Sequence, residues 1–146
     1  HRFSEEIYRA FDNLVEWVVV CPEFDAGLGV PRETIHLIGS PHNPNVQATH
    51  THRDFTTQLV GHCQRQAEQL SSRNLAGFIL KARSPSCGTK VSITQPNGSL
   101  FIDGQGVFVS ALRSHMPNLP IANEEDLQSV HRQRDFLEAL YKYRDR

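Results

Sequence analysis

Two short segments of the sequence combine a thiol with groups that can bind ligands or move protons. The first is Cys21-Pro22-Glu23, in which a proline restricts the backbone between a thiol and a carboxylate. Such a pair can serve as a metal ligand or nucleophile beside a general acid or base. A structural explanation is equally open, because cysteines outside disulfides are among the residues most often buried in protein cores.

The second segment has the sequence SPSCG and is more specific. Its chemically relevant members are Ser84, Ser86, Cys87 and Gly88. A loop of this kind exposes successive backbone N–H groups, which can bind an anion or donate hydrogen bonds to the sulfurs of a cluster. Three basic residues flank it, namely Lys81, Arg83 and Lys90. We expect positive charge at these positions to lower the pKa of a nearby thiol, with Lys81 itself pointing away on a solvated edge. An ordinary turn is the alternative.

The third cysteine, Cys63, shares a predicted helix face with Leu59 and Ala67. This spacing predicts a small core residue that binds nothing. Three widely spaced cysteines do not form the even framework of a secreted disulfide scaffold. We therefore expect a reducing, cytoplasmic setting, in which cysteines are thiols, metal ligands or catalytic groups.

The composition indicates one globular domain over residues 1–146. Apolar residues make up 38% of the chain, charged residues 21%, and the formal net charge is −1. This balance gives no support to binding of a nucleic acid polymer. The longest apolar run, residues 17–21, is far too short to cross a bilayer, so we expect no membrane partner. The composition does not fix the oligomeric state.

The order of the predicted elements favours an α/β fold. Strands are predicted at residues 17–20, 35–38, 77–81 and 119–121, helices at residues 54–74, 106–116 and 124–146 and near residues 4–14, a surface loop at 40–51, and a small hairpin at 91–102. Alternation of this kind predicts a Rossmann-like, three-layer domain with a mostly parallel sheet flanked by helices. Both cysteine segments follow predicted strands, so we expect them to meet at one edge of the sheet.

Six strings of the sequence, taken in order, resemble one known family. They are CPE at 21–23, GLGVPR at 27–32, DFT at 54–56, GFILKARSPSCG at 77–88, GVF at 106–108 and LPI at 119–121. The family is catalogued as domain of unknown function 523 and includes the bacterial thiouracil desulfidases. The resemblance extends to about Arg134, and the long string ending in SPSCG is its most specific part.

The resemblance implies an enzyme that removes sulfur from a thiolated pyrimidine or similar small thio-compound and converts C=S to C=O. Desulfidases of this family hold a [4Fe-4S] cluster with three cysteines and leave the fourth iron open to the substrate sulfur. The residues that match the family's site are Cys21 and Cys87 as cluster ligands, Glu23 and Ser84 as polar catalytic residues, and Ser86 and Gly88 as substrate contacts.

The third ligand of the family lies before the first helix, in a segment of the type Cys-Leu-Leu-Gly. That position precedes His1, and Cys63 does not match it. We therefore expect an N-terminal strand and loop upstream of His1 to complete the cluster site in the full-length protein. The chain from His1 onward supplies two of the three ligands.

Two other functions stay open from the residues alone. The chain could be a cluster-free redox or sulfur-transfer enzyme with Cys87 as its nucleophile. It could also be a non-catalytic domain that binds a sulfur compound or a metal. A brown colour after anaerobic purification distinguishes the cluster protein from both.

Overall fold

The structure is a computed structural model that describes residues 5–29 and 31–146. Its elements, in chain order, are α1 (Glu5–Phe11), α2 (Pro22–Asp25), β1 (Ile35–Ser40), β2 (Asn43–Ala48), α3 (Thr56–Ser71), β3 (Phe78–Leu80), β4 (Val91–Thr94), β5 (Leu100–Gly104), α4 (Val107–His115), β6 (Ile121–Asn123) and α5 (Val130–Arg144). This mixture confirms the α/β class. Within the described ranges, every helix is too short or too polar to span a bilayer.

The strands form two sheets, and the larger one is mixed. Its order is β2-β1-β4-β5, with β1 and β4 parallel and the other two pairs antiparallel. The second sheet pairs β3 and β6 in parallel. The expectation of a mostly parallel sheet was therefore wrong. The reason is that β1–β2 and β4–β5 are hairpins, which pair antiparallel, while only the connections that pass through α3 or α4 join parallel strands.

Strand β2 occupies residues that the sequence predicted to be a surface loop. Val46 and Ala48 are fully buried, whereas Asn45 is exposed and Gln47, between the two buried residues, is half-buried. The polar residues that suggested a loop lie on the solvent side of an edge strand. Buried apolar and exposed polar residues alternate along such a strand, because only one of its faces packs on the core. The predicted hairpin at 91–102 is confirmed as β4 and β5.

Residues 17–20 do not form the strand that their apolar run predicted. They belong to no strand, and Val19 is 80% exposed. Within the described residues, positions 16–20 make no backbone–backbone hydrogen bond. Residues 15–18 and 76–79 line an open apolar groove. An apolar run therefore lies next to a strand without pairing to it.

Helix α3 packs against the larger sheet and α4 with the face that the sequence predicted. Its buried residues are Leu59, Cys63, Ala67 and Leu70. They join one core with Leu37, Ile93 and Phe108, whose side chains are also fully buried. A second cluster places Ile7 and Phe11 of α1 against Ala122 and Leu127. The core thus holds both sheets beneath α3, α4 and α1.

The predicted helix over residues 124–146 begins later, at Val130, because Ser129 caps it. The Ser129 hydroxyl accepts a hydrogen bond from the backbone N–H of Arg132 at 3.1 Å. This satisfies one of the N–H groups that a helix start leaves without an intrahelical acceptor. Residues 124–128 form turns instead of helix.

The start of α4 lies directly against the SPSCG segment. The N–H groups of Val107 and Phe108 donate to the carbonyls of Pro85 and Ser86, at 3.0 and 2.8 Å. These carbonyls therefore cap the helix. Gly106 permits the close approach, since a Cβ at that position would lie 2.4 Å from the Ser86 carbonyl oxygen. The helix in turn fixes the position of the loop.

We predict that Gly106→Ala destabilises the protein by about 1–3 kcal/mol, because its methyl group must push the SPSCG backbone away from α4. Gly61→Ala is a matched control. Gly61 lies inside α3, and its added Cβ would meet only the flexible end of Arg65 at 3.3 Å. The control should gain about 0.5–1 kcal/mol from helix propensity. Urea unfolding measures both, and equal stability of Gly106→Ala and wild type would contradict the packing argument.

Candidate functional site

Cys21 stands at the entrance of a single helical turn. Pro22 occupies the first position of α2, where its missing N–H is not needed. The Asp25 carboxylate accepts a hydrogen bond from the Cys21 backbone N–H at 3.2 Å. The predicted tight turn is therefore a short helix, and it turns Glu23 inward, where the carboxylate is buried.

Glu23 joins the two cysteine segments across 63 residues of sequence. Its Oε2 accepts a hydrogen bond from the Ser86 hydroxyl at 2.8 Å and a longer one from the Ser84 hydroxyl at 3.4 Å. The two hydroxyl oxygens are 3.0 Å apart. All three side chains are buried. The two segments therefore meet, but not as the ends of two strands at one sheet edge, because residues 17–20 belong to no strand.

Ser84 also organises the loop that it begins. Its hydroxyl oxygen accepts hydrogen bonds from the N–H groups of Ser86 and Cys87, at 3.3 and 3.2 Å. Its carbonyl accepts from the Gly88 N–H at 2.7 Å. The sequence suggested that such N–H groups could bind an anion or cluster sulfurs. In this loop they are directed at Ser84 instead, so the loop is closed upon itself.

Ser86 and Gly88 are both buried in the loop. A Cβ at Gly88 would lie 2.3 Å from the Val91 side chain and 2.8 Å from the Ser84 carbonyl oxygen. Gly88 therefore allows close packing, and Ser86 supports Glu23. Their contact with substrate stays a prediction.

The thiol of Cys87 is held in its protonated form. Burial is the main cause that raises the pKa of Cys87 to about 12, and the negative charges of Glu23 and Cys21 raise it further, against the lowering effect of hydrogen bonds with Ser86 and Ser84. The Ser86 hydroxyl oxygen lies 3.5 Å from the sulfur.

The prediction that flanking basic residues lower the pKa of the thiol was wrong. Arg83 forms an ion pair with Glu125, and Lys90 forms one with Asp103 at 3.4 Å. Lys81 is exposed. These basic residues are close to the loop in sequence, but they pair with surface carboxylates or face solvent. Burial therefore determines the pKa of the Cys87 thiol.

Cys63 is fully buried, as the helix pattern predicted, but it lies closer to the site than that pattern could show. Burial raises its pKa to about 12, and the charges of Cys87 and Glu23 add to the shift. The apolar face of a helix predicts that a residue is buried, but it does not identify the side chains that the residue packs against. That Cys63 binds nothing stays a prediction.

Arg32 is the site residue that the motif analysis did not single out. Its Nε donates to Glu23 Oε1 at 3.2 Å, and its Nη1 donates to the Gly29 carbonyl at 2.6 Å. The signal was present in the string GLGVPR, whose Gly27 and Gly29 both have positive φ, at 87° and 85°. These left-handed residues, which glycine adopts without strain, turn the chain back toward Glu23.

The thiols of Cys21 and Cys87 are donors of the type that iron–sulfur clusters use. Within residues 5–29 and 31–146, no three histidine, cysteine or acidic side chains are grouped closely enough to hold a metal ion. The donors therefore fit a cluster as two of its ligands, and the described residues do not complete the set.

A model of the 2-thiouracil desulfurase family matches residues 1–124. The chain belongs to this family. The matched range includes both cysteine segments and Arg32, and it confirms the resemblance seen in the sequence. Family membership makes the protein a desulfidase-like enzyme.

Two known proteins are similar to the chain over most of its length. The uncharacterized protein YbbK of Bacillus subtilis (strain 168) is 25% identical over 135 residues, which cover 89% of this chain and 87% of YbbK. A solved structure named as the [4Fe-4S]-dependent thiouracil desulfidase TudS superposes with a TM-score of 0.71 at 21% identity, covering 97% of this chain and 84% of TudS. At that identity the structural match shows a shared fold.

We predict that the cluster-free protein loses stability as the pH rises above about 9. The folded state keeps the protons of Cys63 and Cys87 up to a pKa of about 12, whereas the unfolded chain releases them near the ordinary value of 9.0. The stabilisation is complete below that value and falls by up to about 1.4 kcal/mol per pH unit and thiol above it.

Urea unfolding at about pH 8 and about pH 10 tests this. Cys63→Ala removes one of the two thiols, so its free energy of unfolding should fall by roughly half as much between the two conditions. An unchanged pH dependence in the variant would show that burial does not hold the proton of Cys63.

Proposed function

We propose that this protein is an iron–sulfur-dependent desulfidase that converts the C=S group of a thiolated pyrimidine, or a similar small thio-compound, to C=O. The observation that carries the proposal is the buried hydrogen bond between Glu23 and Ser86. It joins two cysteine segments inside the range that matches the 2-thiouracil desulfurase family.

Cys21 and Cys87 are the residues that would hold a [4Fe-4S] cluster. When bound, such a cluster supplies an open Lewis-acid position for a soft sulfur atom. The solved relative TudS is named as dependent on this cluster, which supports the same assignment here. The remaining chemistry is acid–base chemistry and falls to the side chains of the chain itself.

Glu23 is suited to move the protons of the reaction. The overall exchange adds water to the thiocarbonyl carbon and releases sulfide, so the water loses two protons and the sulfur gains them. A buried carboxylate beside two hydroxyls can accept a proton from the attacking water and return it to the leaving sulfur. Ser84 and Ser86 orient that carboxylate, and the Ser84 hydroxyl can also donate to the substrate.

The third cluster ligand is proposed to arrive on an extended segment upstream of His1 that lies in the apolar groove. Residues 15–18 and 76–79 line this groove, and among the residues that the structure describes Glu16 is the only ionisable one in its lining. Trp17 Nε1 is buried there without a hydrogen-bond partner among the described residues. Apolar walls between two extended stretches suit a peptide strand better than a polar small molecule.

The topology supports the same occupant. Among the described strands, β3 pairs with β6 alone, so its other edge can accept a strand. Helix α1 leads directly into residues 15–20, as the crossover helix of a βαβ unit leads into its second strand. A strand before α1 would join residues 15–20 to β3 and β6 in a parallel sheet, which is the three-layer, Rossmann-like arrangement that the sequence predicts.

We predict that extending the chain by the residues encoded upstream of His1 slows amide hydrogen exchange at Val18 and Ile79 by at least about tenfold. New sheet hydrogen bonds would protect both edges of the groove. The amide of Val109, inside α4, serves as a control because Val109 is not among the residues that line the groove. Unchanged exchange at both edges would refute the added strand.

We predict that Glu23→Gln lowers sulfide release from a thiolated pyrimidine by about 10²–10⁴-fold while iron content and visible spectrum are kept, since the amide preserves shape and removes the proton acceptor. Ser84→Ala should also keep its iron and lose activity. Glu33→Gln is the matched control, because Glu33 binds Thr51 and the His50 N–H outside the site. The assay is anaerobic and uses cluster-loaded full-length protein.

Wild-type turnover in Glu23→Gln would reduce the Cys-Pro-Glu motif to a helix start. Loss of iron would instead show that the carboxylate supports the cluster.

A cluster-free enzyme with Cys87 as nucleophile is disfavoured, because a thiol with a pKa of about 12 is protonated near neutral pH. A non-catalytic domain would bind the thio-compound and release no sulfide.

A further inference from the structure

We propose that Arg32 is a positioning residue that holds the Glu23 carboxylate against Ser86, and so links the GLGVPR turn at residues 27–32 to the reaction. The inference rests on the proposed function. It assigns a task to a motif that otherwise has none.

The contacts place different partners on the two oxygens of the Glu23 carboxylate. Oε1 faces the Arg32 guanidinium at 3.2 Å, and Oε2 faces the Ser86 hydroxyl at 2.8 Å. A carboxylate held through one oxygen can rotate about its terminal bond. Contacts at both oxygens restrict that rotation, so Arg32 determines the direction in which the lone pairs of Oε2 point.

The ion pair between Arg32 and Glu23 is largely shielded from solvent. The side chains of Arg32 and Glu23 are 21% and 9% exposed. Partial exclusion of water strengthens the attraction between them and raises the cost of leaving either one alone. The guanidinium therefore keeps a charged carboxylate in place among buried hydroxyls and a buried thiol.

Arginine suits this position better than lysine because it donates in two directions. Nη1 donates to the Gly29 carbonyl at 2.6 Å while Nε donates to Glu23. A planar guanidinium can make both bonds without rotating, whereas an ammonium group is a single centre on a flexible stem. The turn at Gly29 thus fixes the arginine, and the arginine fixes the carboxylate.

The contacts continue to the proposed cluster ligand. Ser86, which donates to Glu23, lies next to Cys87 and also contacts its sulfur at 3.5 Å. Among the hydrogen bonds of the described residues none joins Arg32 to Ser86, and Glu23 bonds to both, so Glu23 is the direct link between them. This separation allows a positioning role to be measured.

The first experiment compares cluster-loaded full-length wild type with Arg32→Met, Arg32→Lys, Glu23→Gln and the double variant of Arg32→Met with Glu23→Gln. We expect Arg32→Met to lower kcat at least about tenfold, with KM within about twofold and iron content unchanged, because it acts on proton transfer. Arg32→Lys should recover part of the loss. The double variant should be no slower than Glu23→Gln alone.

Three results would overturn the proposal. A rise in KM at constant kcat would place Arg32 in substrate binding, and a loss of iron would place it in cluster retention. Rate losses that multiply in the double variant would show that Arg32 and Glu23 act independently.

A second experiment does not depend on activity and uses the cluster-free chain. A double-mutant cycle between Arg32→Met and Ser86→Ala is measured as changes in the unfolding equilibrium constant in urea. We expect a coupling of at least about threefold, since independent sites stay within about twofold of additivity. Arg53→Met replaces Arg32→Met as the control, because Arg53 stacks on Phe55 away from the site.

The two experiments separate the two proposals. If cluster-loaded wild type releases no sulfide, the proposed function fails, and the coupling between Arg32 and Ser86 still decides whether Arg32 positions the carboxylate. Additive effects in the cycle would refute the positioning role even in an active enzyme.

Discussion

A buried carboxylate holds the reactive part of this protein together. Removing an ionised group from water costs several kcal/mol unless charges and hydrogen bonds compensate. Glu23 meets this requirement with a guanidinium on one oxygen and a serine hydroxyl on the other. Each partner comes from a different part of the chain. Compensating the charge of Glu23 therefore brings together its own segment, the turn that carries Arg32 and the SPSCG loop.

The same environment gives the thiols their character. Cys63 and Cys87 lie in a region of low polarity that also contains negative charge, and both factors favour the protonated thiol. Burial therefore keeps both thiols protonated near neutral pH. For Cys87, ligation of the proposed cluster would require the metal to displace this proton.

The sequence predicted the parts of the fold that depend on local pattern. The apolar face of α3 located Cys63 in the core, and the Asn97-Gly98 pair predicted the β4–β5 hairpin. The SPSCG string identified the loop that meets Glu23. Each of these signals is contained in a few neighbouring residues.

What could not be predicted depends on distant partners. β2 looked like a loop because the polar residues of an edge strand and those of a turn are alike in sequence. The run at residues 17–20 has the composition of a strand. A strand also needs a neighbouring strand to pair with, and composition does not show whether one is present. The pKa of Cys87 follows from burial and from charges that pair elsewhere, which only coordinates reveal.

The packing of the SPSCG loop against α4 affects the order in which the site folds. Ser86 and Phe108 are separated by a short stretch of chain, whereas Ser86 and Glu23 are far apart in sequence. Contacts between near neighbours in sequence have the smaller entropy of closure and form more readily. We therefore expect the loop and helix to be assembled early, with the segment that carries Cys21 and Glu23 docking afterwards as a cover. A cluster that both Cys21 and Cys87 ligate could then be completed only after that segment has docked.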